Sequence, residues 1–343
     1  MPKRLLIIYT GGTIGMKQTH HGLAPADDLA DEIKYLVELG PVFQQNPPQL
    51  ETLVYRPLID SSDMTPATWL TIAADIEQRY DDYDGFIVLH GTDTLAYTSS
   101  ALSYFVRRWG KPVIVTGAQL PFGFPRSDAR SNLISAIEVA ATMPESMAQV
   151  CVVFGSKILR GNRVTKISAK AYDAFDSPRF PAIGSIGIEI EYQGHRRMGH
   201  GEGVTKATLL PPPDDSVVLL RLYPGISASI FDAVCAAPNL RAVVLEAYGS
   251  GNGPTREPSF MAAVSAAVER GIVVLVVSQP LDGVVTFERY AAGSGLSGAG
   301  AVSGRDLTPE AAVTKLYYLI ARGYDNRQIT EKLKQPLAGD MKR

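Results

Sequence analysis

Short runs of consecutive apolar residues recur along the chain, separated by longer stretches where apolar residues return every three or four positions. The runs at 5–9, 86–89, 113–116, 150–154, 217–222, 242–245 and 273–278 are rich in Val and Ile and almost uninterrupted by polar side chains. A strand with one face in water alternates apolar and polar positions, so continuous runs predict strands covered on both faces, as in parallel sheets. The stretches 66–79, 94–109, 127–143, 226–236, 259–269 and 309–321 predict helices between them. Strand and helix in alternation imply an α/β fold with mostly parallel sheets flanked by helices. The pattern breaks at 195–215, where glycines and then Pro211-Pro212-Pro213 replace apolar periodicity. That segment reads as a linker between a larger N-terminal domain, 1–194, and a smaller C-terminal one, 216–343.

At 343 residues the chain is long for one hydrophobic core, which agrees with two domains. A formal net charge of -2, with no block of like charges, argues against a nucleic-acid partner. The apolar run at 5–9 is too short for a signal-peptide core, and no segment reaches membrane-spanning length, so the expectation is a cytoplasmic protein without a membrane partner. Cys151 and Cys235 sit among apolar neighbours and read as small buried hydrophobes. With no CxxC and no HxxxH pair among the five histidines, no metal site is expected.

Ligands of open parallel sheets bind outside the carboxyl ends of the strands, so the turns there are where chemistry is sought. After the first strand comes Thr10-Gly11-Gly12-Thr13-Ile14-Gly15. It has neither the GxGxxG helix entry nor the GxxxxGK[ST] of phosphate loops. It is either a plain turn or one that presents the Thr13 hydroxyl. The strand at 86–89 runs into His90-Gly91-Thr92-Asp93-Thr94. A helix start needs one capping residue, and three consecutive polar residues exceed that need. In Asp60-Ser61-Ser62-Asp63-Met64-Thr65-Pro66, Asp63 or Thr65 can cap the helix entered at Pro66. That leaves Asp60, Ser61 and Ser62, whose hydroxyls, backbone N–H groups and carboxylate suit the two charges of an α-amino acid. Lys166, in Arg160-Gly161-Asn162-Arg163-Val164-Thr165-Lys166, reads by itself as a surface charge.

Taken together these segments resemble bacterial L-asparaginases of the cytoplasmic, type I kind. The likeness rests on Thr10-Gly11-Gly12-Thr13-Ile14-Gly15, Leu58-Ile59-Asp60-Ser61-Ser62-Asp63-Met64-Thr65, Tyr83-Asp84-Gly85-Phe86 through Ala96-Tyr97-Thr98, and Gly110-Lys111-Pro112-Val113-Ile114-Val115-Thr116-Gly117. It continues in Arg160-Gly161-Asn162-Arg163, Tyr223-Pro224-Gly225-Ile226-Ser227-Ala228 and Thr314-Lys315-Leu316, nearly from end to end. The resemblance implies hydrolysis of L-asparagine to L-aspartate and ammonia through a β-acyl ester on a threonine, without a cofactor. It implies Thr13 as nucleophile, with Thr92, Asp93 and Lys166 as the rest of the catalytic group. Asp60, Ser61 and Ser62, with Thr92 and Asp93, would bind substrate. It also implies a homodimer or homotetramer whose active site is bordered by a neighbour's C-terminal domain.

Two departures from the family pattern stand out. Where the family carries a tyrosine in Gly-Tyr-x-Pro, this chain has Gly22-Leu23-Ala24-Pro25, and Leu23 has no hydroxyl to offer Thr13. Thr19, His20, His21 or a tyrosine from elsewhere are the candidates to replace it. Some type I relatives bind a regulatory asparagine near an arginine and a Gln-Cys pair. Here Glu246 precedes Ala247-Tyr248-Gly249-Ser250-Gly251-Asn252, and Gln279 precedes Pro280. A carboxylate in place of a cation repels such a ligand, so no asparagine-driven cooperativity is expected. The alternatives are a related amidohydrolase with a different amide substrate, an amidase subunit for tRNA-linked amidation, and a catalytically weak amino-acid-binding homologue.

Overall fold

The computed structural model describes residues 2–19, 22–25, 47–106, 110–193, 209–287 and 291–342. The chain divides into two compact units, Met1–Met198 and Gly199–Arg343, the first being the larger. Their boundary falls inside the linker expected at 195–215, of which 195–208 lie outside the described residues.

The N-terminal unit starts with β1 (Arg4–Tyr9), a short 3-10 turn (Thr13–Gly15), β2 (Met16–Thr19) and β3 (Gly22–Pro25). There follow β4 (Gln49–Val54), α1 (Pro66–Gln78), β5 (Gly85–Leu89), α2 (Leu95–Phe105), β6 (Val113–Thr116), α3 (Ala129–Thr142) and β7 (Val150–Phe154). The unit continues with β8 (Lys157–Arg160), β9 (Thr165–Lys166), β10 (Phe175–Asp176), β11 (Gly184–Ile186) and β12 (Ile190–Tyr192). Among the described residues the main sheet has the order β12-β11-β8-β7-β6-β5-β1-β4. From β4 to β7 the neighbours are parallel, and the three pairings beyond β7 are antiparallel. The continuous apolar runs became the central strands: every residue of β5, β6 and β7 is buried. Leu5, Ile7, Ile87, Leu89 and Ile114 pack with Leu133, Ala136 and Ile137 of α3. Each fully buried Ile or Leu contributes about 1.5–3 kcal/mol.

The C-terminal unit holds β13 (Val217–Arg221), α4 (Ala228–Cys235), β14 (Ala242–Ala247), α5 (Pro258–Glu269) and β15 (Val273–Ser278). It ends with α6 (Ala291–Gly298), β16 (Val302–Ser303), α7 (Pro309–Ala321) and α8 (Asn326–Leu333). The four strands run in sequence order and all pairs are parallel. Phe231 of α4 and Phe260 of α5 pack 5.6 Å apart beneath this sheet, beside Val243, Leu245 and Val274. Both cysteines are buried and unpaired, and burial pushes the Cys151 thiol up to about 12.

Several elements depart from the pattern reading. β4, an edge strand with only half-buried and exposed positions, has no continuous apolar run to announce it. Helix α6 has the sequence Ala-Ala-Gly-Ser-Gly-Leu-Ser-Gly, whose three glycines disfavour a helix. Helix α2 is described to Phe105, and residues 107–109 of the longer helix expected at 94–109 lie outside the described residues.

Candidate active site

Three loops meet at the carboxyl ends of β1 and β5 because glycines let their backbones touch. Gly11 and Gly12 have φ values of 138° and 94°, a region that side chains disfavour. A Cβ on Gly11 would lie 2.2 Å from the carbonyl oxygen of Ile59, and one on Gly12 only 2.3 Å from the amide nitrogen of Gly91. A Cβ on Gly91 would lie 2.5 Å from Ser61 Oγ. The turn that carries Thr13 is thereby pressed against both the 57–63 loop and the 90–94 turn. The Ile59 amide donates to Thr10 O (2.7 Å), and Thr10 Oγ1 donates to Leu89 O (2.9 Å). Thr13 is half-buried, and among the described residues no group hydrogen-bonds its hydroxyl.

The 90–94 turn meets Lys166 of β9, which pairs with β10 in a separate two-stranded sheet. Lys166 Nζ donates to Thr92 Oγ1 (3.0 Å) and to Asp93 Oδ1 (2.7 Å). The side chain of Lys166 is 21% exposed and that of Asp93 is 69% exposed, while Thr92 is buried, so the ammonium reaches from a half-sheltered position toward an open carboxylate. None of Thr92, Asp93 and Thr94 caps α2 with its side chain. Thr94 is at the N-cap position, but its hydroxyl donates to Ser61 O (2.5 Å) and ties the second loop to the third. The three polar residues are therefore spent on the site and not on the helix.

In the 57–63 loop, Asp60 accepts from the amide (2.9 Å) and the hydroxyl (2.8 Å) of Ser62. These two bonds hold the Asp60 carboxyl below its ordinary value. Ser61 is buried against Gly91, whereas Asp60 and Ser62 are exposed. Helix α1 takes its cap from Thr65, whose Oγ1 accepts from the Thr68 amide (3.3 Å), so Asp60, Ser61 and Ser62 are not needed there.

Beneath the 90–94 turn lies a buried chain of polar side chains. His90 Nδ1 is 2.6 Å from Gly91 O, which only accepts, so the ring proton is on Nδ1. Nε2 then accepts from Thr98 Oγ1 (2.8 Å), which in turn accepts from Trp69 Nε1 (3.1 Å). Burial lowers the His90 pKa to about 4 and keeps the ring neutral.

The structure thus gathers Thr92, Asp93 and Lys166 by direct hydrogen bonds and joins Thr13 and the Asp60-Ser61-Ser62 loop to them through backbone contact. The backbone at Leu23 lies in β3, opposite Gln18. The Leu23 side chain, like that of Thr19, and residues His20 and His21 lie outside the described residues. Sequence reasoning missed Gln119, whose Oε1 accepts from Thr92 Oγ1 (3.3 Å), and Asp128, which binds the amides of Gln119 and Leu120. The available signal for Gln119 was its place just past the end of β6, in Gly117-Ala118-Gln119. Asp128 was disguised as the N-cap of α3, which it does not cap. No cluster of three metal-ligating side chains occurs among the described residues.

The chain matches known proteins over nearly its whole length. Residues 4–198 match the family model described as "Asparaginase, N-terminal", and residues 216–333 match "Glutaminase/Asparaginase C-terminal domain". The chain is 41% identical over 340 residues to L-asparaginase 1 of Escherichia coli K12, covering 99% of this chain and 98% of that protein. It is 38% identical over 363 residues to the 60 kDa lysophospholipase of Mus musculus, covering 99% of this chain and 62% of that longer protein. The crystal structure of L-asparaginase I from Vibrio cholerae superposes with a TM-score of 0.87 at 39% identity, covering 100% of both chains.

Proposed function

Because the chain belongs to the asparaginase family of amidohydrolases, we propose that it hydrolyses L-asparagine to L-aspartate and ammonia, with Thr13 as the nucleophile. The observation that carries this reading is the bonding of Lys166 to both Thr92 and Asp93 on a turn pressed against the glycines before Thr13. A threonine hydroxyl is a weak nucleophile near neutral pH and needs a partner to take its proton. Lys166 supplies that path, and Thr92 and Asp93, as its two acceptors, orient it.

Thr13 Oγ attacks the side-chain amide carbon of asparagine. Lys166 Nζ takes its proton and gives one to the departing nitrogen, which leaves as ammonia. The backbone N–H groups near Thr92 and Ala118 stabilise the tetrahedral oxyanion. Water then attacks the resulting β-acyl ester, regenerates Thr13 and releases aspartate. Asp60, Ser61 and Ser62 hold the substrate's α-carboxylate and ammonium, with Asp93 sharing the ammonium. The chain's own residues supply every group this scheme uses.

The test is ammonia release from L-asparagine, L-glutamine and D-asparagine. Thr13→Ala, Thr92→Ala and Lys166→Met are each expected to lose activity by about 10³-fold or more while melting as the parent does. Parent-like turnover in Thr13→Ala would sink the nucleophile assignment. Leu23 favours a second reading, a different amide substrate or a weakly catalytic amino-acid-binding protein. Tight aspartate binding without turnover of any amide would favour the latter. The family likeness also supports a cytoplasmic homodimer or homotetramer with a catalytic domain at 1–194 and a second domain at 216–343. Light scattering tests the assembly: a monomer would contradict it. Among the described residues no helix is long and apolar enough to cross a membrane.

A further inference from the structure

We infer that Gln119 is a positioning residue that fixes the direction of the Thr92 hydroxyl; this rests on the reading of Thr92 and Lys166 as catalytic. The orientation of the Gln119 amide follows from its partners. Its Nε2 faces Ala171 O (3.1 Å) and Ser168 O (3.5 Å), and carbonyl oxygens only accept. The NH₂ end must therefore point there, which turns Oε1 toward Thr92 Oγ1 at 3.3 Å. The backbone end is fixed as well. The Gln119 amide donates to both oxygens of Asp128 (2.9 and 3.1 Å), and Leu120 N donates to one of them (3.0 Å). Asp128 is buried and is braced by Asn132 Nδ2 (3.1 Å), which also holds Gly117 O (2.9 Å).

A hydroxyl has one proton and two lone pairs. Gln119 takes the proton of Thr92, so Thr92 meets Lys166 Nζ as an acceptor. Without Gln119 the hydroxyl can turn its proton toward Lys166, and Lys166 loses the acceptor that aligns it. Misalignment of this size costs about 10- to 100-fold in rate. The loss falls on kcat, because Gln119 acts through Thr92 and not on the substrate. KM is expected to stay within about threefold.

The experiment measures kcat and KM across the acid-to-neutral range for the parent, Gln119→Leu and Gln119→Glu, and repeats Gln119→Leu in a Thr92→Val background. We expect Gln119→Leu to lose kcat by the stated factor, and to have no further effect once Thr92 lacks its hydroxyl. A protonated glutamic acid at 119 keeps the acceptor and one of the two donors of glutamine, whereas its carboxylate faces two carbonyl oxygens. The activity of Gln119→Glu relative to the parent should therefore rise as the pH falls, which a merely structural role would not produce. Parent-like kcat in Gln119→Leu, losses that add in full to those of Thr92→Val, or a flat Gln119→Glu ratio would overturn the inference. Should Gln119→Leu melt before it can be assayed, the Gln119→Glu ratio decides. A parent chain inactive on every amide defeats the functional reading by itself. In that case substrate-free crystal structures decide: Thr92 Oγ1 leaving Lys166 in the Gln119 variants supports the inference, and an unmoved Thr92 overturns it.

Discussion

An alanine at Gly12 would bring its methyl within 2.3 Å of the Gly91 amide, at a φ that side chains rarely adopt. Both obstacles are backbone, so neither yields to a rotamer change. Gly12→Ala is expected to cost about 2–4 kcal/mol of stability and most of the activity, read by thermal melting and ammonia release. A stable, active variant would mean that the Thr13 turn need not touch the 90–94 turn. At Leu23, a tyrosine would restore the hydroxyl that the family pattern carries at this position. If Leu23→Tyr raises kcat several-fold, the missing hydroxyl limits this chain; an unchanged rate points to a substitute group. His90 sets a pH limit. It is neutral in the fold because burial lowers its pKa from 6.5 to about 4. The unfolded chain takes up that proton first as the pH falls, so stability is fully present above about 6.5 and is lost as the pH drops to about 4. The full loss is about 3 kcal/mol. Urea unfolding at pH 7 and pH 5 should show it, and His90→Gln should flatten the difference. Lys166, which by itself reads as a surface charge, became a candidate only through the family resemblance, but the Thr13 turn, the 90–94 turn and the Asp60-Ser61-Ser62 loop were legible as candidates because each is a short local motif. Gln119 was not, since its partners Ser168 and Ala171 lie 49 and 52 residues away.

Helix α7 carries a lysine that no exposed charge explains. Lys315 is fully buried, and its Nζ contacts Asp340 Oδ2 (2.8 Å) and Gln335 O (2.8 Å). Burial by itself would raise the Asp340 carboxyl, but the charge of Lys315 and the amides of Leu337 and Ala338 outweigh it and hold it below the ordinary value. The segment after α8 is in this way pinned to α7. Removing one partner takes from the other its buried counter-charge, so Lys315→Met or Asp340→Leu is expected to cost about 3–5 kcal/mol. The double variant Lys315→Met with Asp340→Leu should recover part of the loss in the same denaturation assay. Simple additivity of the two losses would refute the pairing. Helix α8 itself carries a signal that periodicity overlooks. Asp325 and Gln328 form a reciprocal capping box, with the Gln328 amide on Asp325 Oδ1 (2.8 Å) and the Asp325 amide on Gln328 Oε1 (3.0 Å). The central strands and most of the helices were readable from apolar runs because both faces of the sheet are covered. The half-exposed edge strand β4 and the glycine-rich α6 were not, because neither their burial nor their propensity distinguishes them from loops.

Both units are built around parallel strands with helices, the N-terminal sheet adding antiparallel strands beyond β7, so each has a row of loops at the carboxyl ends of its parallel strands, where such folds bind ligands. In the N-terminal unit that row holds Thr13, Thr92 and Asp93. In the C-terminal unit it is closed by its own side chains. Gln279 Nε2 donates to Leu222 O (2.7 Å) and Glu246 O (2.9 Å), stitching the ends of β13 and β14 to the end of β15. The Glu246 side chain is buried and faces the Arg221 guanidinium at 3.6 Å. An amino acid that approached here carboxylate first would meet an anion already paired with Arg221. Coupling between two sites needs a ligand that binds both and prefers one state of the protein. With the second row unfavourable to asparagine, no such preference arises, and the rate should follow asparagine concentration hyperbolically with a Hill coefficient of about 1. Glu246→Arg reverses the local charge and tests whether the row is otherwise able to take the ligand. A sigmoidal curve in the parent would mean that asparagine finds a second site in spite of Glu246. A sigmoidal curve in Glu246→Arg only would identify that carboxylate as the barrier.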